Sequence, residues 1–314
     1  MPLAPALRAA AALAVVALAA GACTASEPTN VPEVTGAFGD RPEITIPDLP
    51  APEQGRTTVL REGTGPEVRE GQVAVTDVEM KVWEGKRKLV SSWGLLQPTT
   101  VSFGGERVFR GWGQALLGRK GGSRVLMVAP SKSGVGPHGR ARAGVGPGDH
   151  MVLVFDLVGG YGVDQRVPER KAPGVGTGSA PSVSFTGPKG TPTVGRWGTG
   201  TPDKLDVRVL VEGKGPVLGD GDVAVAQYGT WIWGRDKPLR RTYAATGPSG
   251  MLLSKDALPP GLYEALKGTR VGSRLRVAVP AQYRKGFTAT KGGIAAPSEH
   301  PIFWVIDVLD HQDR

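Results

Sequence analysis

Between Val73 and Trp83 the residues alternate: Ala74, Thr76, Val78, Met80 and Val82 fall on one side, and Val73, Val75 and Asp77 on the other. A period of two is the mark of a β-strand with one apolar face. Arg124–Ala129 and Met151–Val158, rich in Val, Leu and Phe, read as further strands. One segment breaks this rhythm. From Arg107 to Leu117 the apolar positions are Val108, Trp112, Ala115 and Leu116, a helical spacing, and Gly118 stands where a C-cap glycine belongs. The pattern predicts an α+β layer, an antiparallel sheet with one short helix on its apolar face.

The whole pattern then recurs. Val59-Leu60-Arg61-Glu62-Gly63-Thr64-Gly65-Pro66 returns as Val209-Leu210-Val211-Glu212-Gly213-Lys214-Gly215-Pro216, an offset of 213 − 63 = 150. Gly71–Val75 matches Gly221–Val225, Ala115–Gly118 matches Ala265–Gly268, and Gly122-Ser123-Arg124 matches Gly272-Ser273-Arg274. The helical spacing recurs at Leu258, Leu262, Ala265 and Leu266, before Gly268. Shared Gly and Pro positions fix turns rather than surface. Two copies are too few for a solenoid, so each unit is expected to own a core. The predicted domains are 56–160 and 205–314, joined by a Gly/Pro-rich linker over 161–204 that leaves the copies free to move independently. Residues 23–55, rich in Pro, Thr and Glu, read as a flexible tether containing one stray strand at Glu43–Ile46.

Composition supports short elements: 47 Gly and 27 Pro in 314 residues suit strands and turns better than long helices. The formal charge of +9 raises the question of nucleic acid. Arg56, Arg61, Arg69, Arg107, Arg110, Arg119, Lys120 and Arg124 are spread singly without stacking aromatics, which predicts a solvated surface and no nucleic-acid partner. The four histidines, His138, His150, His300 and His311, are read as loop or terminal residues without i, i+4 carboxylate partners, so no metal site is expected. There is no Walker loop and no nucleophile elbow, and no cofactor is expected.

Met1–Arg8 carries one positive charge, and Ala9–Ala22 is an Ala/Leu/Val stretch too short to span a bilayer comfortably. Residues 1–22 read as a signal peptide. Leu18-Ala19-Ala20-Gly21-Ala22-Cys23 resembles a bacterial lipobox, which implies lipidation of Cys23 and a lipid anchor on the outer face of the cytoplasmic membrane. An ordinary secretory signal is the other reading of these residues, because Ala20 replaces the aliphatic residue preferred there.

The ordered set Glu62-Gly63-Thr64-Gly65-Pro66, Gly71-Gln72-Val73, Val108-Phe109-Arg110-Gly111-Trp112, Ala115-Leu116-Leu117-Gly118, Gly122-Ser123-Arg124 and Leu153-Val154-Phe155-Asp156 resembles the FKBP class of prolyl cis/trans isomerases. The resemblance runs over Arg56–Gly160 and again, more weakly, over Asp206–His311. It implies two domains, each an antiparallel half-barrel sheet wrapped round one short helix, with a proline-accepting pocket between sheet and helix. It further implies Trp112 as the pocket floor, Val108 and Phe109 beside it, and Phe155 and Leu89 as walls. Val78, Val90 and Val135 take the places of the family's Tyr, Asp and second Tyr. In the second copy Tyr228 matches the first Tyr, but Leu262 replaces the Trp, Arg240 the Asp, and Ile306 falls near the wall Phe after a one-residue shift. Tyr283 lies two residues before the second Tyr position.

Two functions follow from that resemblance. One is an extracytoplasmic peptidyl-prolyl isomerase acting on proline-containing segments of exported polypeptides. The other is a non-catalytic peptide-binding or chaperone lipoprotein, for which the three valines speak. Taken without the family, Trp112 and Phe155 read as core packing.

Overall fold

A computed structural model describes residues 30–104, 110–134, 144–168, 180–187, 190–284 and 299–314. Its first repeat contains strands β1 (Glu33–Thr35), β2 (Glu43–Thr45), β3 (Arg56–Arg61), β4 (Gln72–Val82), β5 (Lys88–Ser91), β6 (Thr99–Ser102), β7 (Arg124–Pro130) and β8 (His150–Gly162). Short helices α1 (Ser92–Leu95), α2 (Arg110–Leu116) and α3 (Ser131–Gly134) lie between them. The second repeat contains β9 (Val183–Thr186), β10 (Thr191–Val194), β11 (Asp206–Val211), β12 (Val223–Ile232), β13 (Arg240–Arg241), β14 (Ser249–Leu252), helix α4 (Pro260–Leu266), β15 (Arg274–Val279) and β16 (Ile302–Gln312).

Each repeat forms an antiparallel six-stranded sheet. The orders are β3-β7-β8-β4-β5, with β6 also on β4, and β11-β15-β16-β12-β13, with β14 also on β12. The 150-residue offset holds in three dimensions, because β3, β6, α2 and β7 begin at Arg56, Thr99, Arg110 and Arg124, and their counterparts at Asp206, Ser249, Pro260 and Arg274. Even the bulge recurs, at Val75/Thr76 in β4 and Val225/Ala226 in β12. One residue is inserted before β16, so Arg124 faces Asp156 while Arg274 faces Asp307.

Alternation sorts each sheet into two faces. In the first, Val78, Val82, Val125, Met127, Met151, Leu153, Phe155 and Leu157 pack with Trp112, Ala115 and Leu116 of α2. The opposite face carries Leu126, Val128, Val152 and Val154, which would be an open apolar patch. It is covered. The hairpin of β1 and β2 lies there, with Ile44 and Ile46 buried in the same cluster, where the sequence predicts a flexible tether. The second sheet repeats the arrangement: β9 and β10 pair, and Val183, Phe185 and Val194 pack on Phe303 and Val305. Strands β9 and β10 are therefore a folded cover rather than part of a linker. Their Pro-rich composition hid strands too short for a periodic signal.

The hairpin is also pinned by charge. Arg124, predicted to be a solvated surface residue, is buried. It donates from Nε to Asp156 Oδ1 at 2.6 Å and from Nη2 to Oδ2 at 2.8 Å. The same guanidinium reaches the carbonyls of Gly36 at 2.5 Å, Ala37 at 2.7 Å and Asp40 at 2.9 Å. Gly39 N–H completes the carboxylate at 2.7 Å. In the second repeat Arg274 pairs with Asp307 at 2.6 Å and donates to the Val167 carbonyl at 2.7 Å.

The copies do not move independently as predicted; they are docked. Val73, Val75 and Tyr161 form one buried cluster with Val225. Tyr161 donates to Asp310 at 2.9 Å, Gln227 Nε2 to the Val163 carbonyl at 2.7 Å, and Arg314 pairs with Asp77. Both faces of β4 are thus buried, where its alternation predicted one. Burial and the neighbouring Asp310 carboxylate push the Tyr161 phenol well above its usual pKa.

Candidate functional site

Helix α2 is seven residues long, so the sheet rather than its own length must hold it in place. Gly111 permits the seating: a Cβ there would lie 2.9 Å from the Ser133 carbonyl oxygen and 3.1 Å from Met127 Sδ. The next residue, Trp112, points its ring into the first core and donates its indole N–H to the Gly134 carbonyl at 2.6 Å. Phe155 on β8 meets it edge to face, with ring centroids 4.9 Å apart at 73°. Such pairs fix ring orientation as well as burying area.

The register supplies the walls. Val78 on β4 and Val125 on β7 flank Phe155 directly, and Leu89 of β5 packs against the same cluster. Trp112 retains 6% of its surface, while Phe155 retains none. Val90, predicted to contact substrate, stands outside this cluster and is half exposed, since alternation along β5 puts it opposite Leu89. Val108, Phe109, Val135 and Cys23 lie outside the described residues.

Trp112, Phe155, Val78 and Leu89 have no titratable group among them, so this surface offers neither a proton nor a nucleophile. What it offers is dry apolar packing: Trp112, Phe155 and Val78 are buried, and Leu89 is the partly exposed member. The nearest carboxylate on β4, Asp77, is buried and accepts from Ser92 Oγ at 2.5 Å, and Ser92 Oγ accepts from Val78 N–H at 2.9 Å. The second repeat repeats this staple with Gln227, Thr242 and Tyr228 N–H, at 2.7 and 2.8 Å.

Sequence reasoning missed an exchange of aromatics in the second repeat. Leu262 and Ile306 occupy the places of Trp112 and Phe155, but Trp304 stands where the first repeat has Leu153. The indole has moved from helix to sheet and tilts against Tyr228 at 5.4 Å. The one-residue shift that brings Ile306 to the place of Phe155 also brings Trp304 to that of Leu153. Tyr283 packs against the edge of the same core, and Arg240 lies over the Tyr228 ring at 5.9 Å. Burial raises the Tyr228 phenol above its usual pKa.

His150 begins a strand, where a loop was predicted, and His311 lies near the end of β16, close to the chain end as expected. Among the described residues Asp222, His311 and Asp313 bring ligand-type atoms within 4.8 Å of one another. These atoms already have partners: His311 Nε2 meets Asp313 at 2.8 Å, and Asp222 accepts from Gly219 N–H at 2.7 Å.

The family model for FKBP-type peptidyl-prolyl cis-trans isomerases matches residues 65–158. An FK506-binding protein of Streptomyces anulatus is 26% identical over 119 residues, which are 38% of this chain and 96% of that relative. An FK506-binding protein of Neisseria meningitidis serogroup B is 34% identical over 99 residues, 31% of this chain and 86% of the relative. Among solved structures, the three FKBP domains of wheat FKBP73 align at 17% identity and a TM-score of 0.30, over 82% of this chain and 94% of that one.

Proposed function

Because the chain belongs to the family of FKBP-type peptidyl-prolyl cis-trans isomerases, we propose that its first repeat isomerises Xaa-Pro bonds in exported polypeptides, using the apolar surface around Trp112. The observation that carries this reading is the Trp112–Phe155 pair, at 4.9 Å, backed by Val78 and Leu89.

The chemistry asks for little else. Rotation about an Xaa-Pro bond meets a barrier of roughly 18–20 kcal/mol because amide resonance is lost in the twisted transition state. No covalent bond breaks. A dehydrated floor that holds the prolyl ring favours the less conjugated, twisted amide over the planar one. Each 1.36 kcal/mol of that preference is worth about tenfold in rate. Residues 1–22 and Cys23 support placing the protein outside the cytoplasmic membrane, lipid-anchored by Cys23, where newly exported chains pass.

Val78 favours a second reading. A buried valine stands opposite Phe155, where the family's pattern has a Tyr, so that wall lacks the family's hydroxyl. A surface that only binds peptides, as a chaperone does, fits that loss. A proline-isomer-sensitive peptide assay on the whole chain separates the two. Isomerisation above the uncatalysed rate, lost in Trp112→Ala and largely kept in Trp112→Phe, supports the enzyme. Peptide binding without rate enhancement supports the binding module.

A further inference from the structure

In the second repeat a narrow cleft opens beside Tyr228, between β14 and the entry to α4. Its walls there are Tyr228, Ser249–Leu252, Ala257 and Leu258. Shifted by 150, Tyr228 and Leu258 are the counterparts of Val78 and Val108, two positions expected to line the first repeat's pocket. The cleft thus shares two walls with the second repeat's version of that pocket, while Leu262 and Ile306, the counterparts of Trp112 and Phe155, lie outside its lining. It is closed by the other repeat: Leu96 and Gln97 form its remaining wall, and the volume left is about 10 Å³, the size of one water.

The turn that delivers Leu96 is built for this contact. Leu96 follows α1 in a left-handed conformation, φ 54° and ψ 33°, at a helix C-cap that glycine would fill without strain. The leucine is instead packed against the second repeat's core. Pro98, two residues on, is buried, and Gly250 of β14 makes room for it. A Cβ on Gly250 would lie 2.7 Å from Pro98 Cβ and 2.8 Å from Val75 Cγ1. On one side a strained residue presents an apolar side chain, and on the other a missing side chain admits the approach.

We infer that the Leu96–Gln97 turn of the first repeat is the resident occupant of the second repeat's peptide cleft. Held there, it makes the second repeat a docking partner for the first. A proline-containing peptide gains that cleft only when the turn is removed. The inference does not require the first repeat to be catalytically active.

The test is a titration of the whole chain with a short Leu-Pro peptide, followed by the indole N–H resonances of Trp112 and Trp304, assigned through Trp304→Phe. Trp112 reports the first repeat and Trp304 the second, so failure of one reading is seen separately from failure of the other. In the parent chain Trp304 should not respond at concentrations that saturate Trp112. In Leu96→Gly, whose glycine relaxes the left-handed backbone, Trp304 should respond with at least tenfold higher affinity, and Leu96→Ala should behave likewise. A Trp304 response in the parent equal to that of the variants overturns the inference. So does a silent Trp304 in a variant that still unfolds cooperatively. Loss of the cooperative transition in both variants also overturns it, since the turn is then a folding element and not an occupant.

Discussion

Replacing Arg124 by alanine should do more than remove one charge. The guanidinium holds both oxygens of Asp156 and three carbonyls of the β1–β2 connection, at 2.5–2.9 Å. Its loss leaves the Asp156 carboxylate, 1% exposed, with only the Gly39 N–H that the structure pairs to the same group. Breaking a buried pair by deleting one partner costs about 3–5 kcal/mol, a large part of the roughly 5–15 kcal/mol that holds a domain. With a urea slope of about 1–3 kcal/mol/M, the midpoint should fall by more than about 1 M. The hairpin should also loosen, because its carbonyls lose their donor, and chymotrypsin should then cut at Phe38 under conditions that spare the parent. The double variant Arg124→Met, Asp156→Leu separates the two effects. Removing both charges should return the stability to about that of the parent or above it, while Phe38 stays open to cleavage. An Arg124→Ala protein within about 1 kcal/mol of the parent and uncut at Phe38 would refute the assignment of the pair as the pin of the hairpin.

Two further outcomes follow from the same contacts. Tyr161 bridges the repeats as a neutral phenol whose pKa is raised in the folded chain by burial and by Asp310, so its contribution is fully present below about pH 10 and is lost as pH rises through the raised value; Tyr161→Phe should flatten that alkaline decline in urea titrations, and an unchanged slope would contradict it. Gly111→Ala should lower thermal stability by about 1–3 kcal/mol through overpacking against Ser133 and Met127, despite alanine's better helix propensity, and a rise in melting temperature would show that α2 has room to shift.

What was legible in the bare chain followed from spacing. A 150-residue offset in Gly and Pro positions marks both sheets, both helices and the turn glycines, because a duplicated fold must turn at the same places. What escaped depended on contacts that leave no periodic trace. Of the hairpin strands only β2 was expected, at Glu43–Ile46; the others are three or four residues long and sit in Pro-rich segments, so alternation had no length over which to register. A hint lay in β7 and β8, whose unbroken Val, Leu and Met runs announce two covered faces rather than one. Arg124 looked like one scattered cation among many, yet a charge inside an apolar strand, repeated at Arg274 with Asp156 and Asp307 as partners, was a readable sign of a buried pair. Trp304 was readable once the one-residue shift seen at Ile306 is carried two residues back along the strand, whereas the docking of the copies was hidden by the distance in sequence between its partners.

The folded hairpin bears on how far the protein can stand from a bilayer. Val31 packs against the hairpin's buried cluster, eight residues beyond Cys23. Eight residues of fully stretched chain reach no more than about 28 Å. If a lipid is attached at that cysteine, the first repeat rides close above the headgroups, and a polypeptide emerging through the same membrane meets it before it has travelled the width of one small domain.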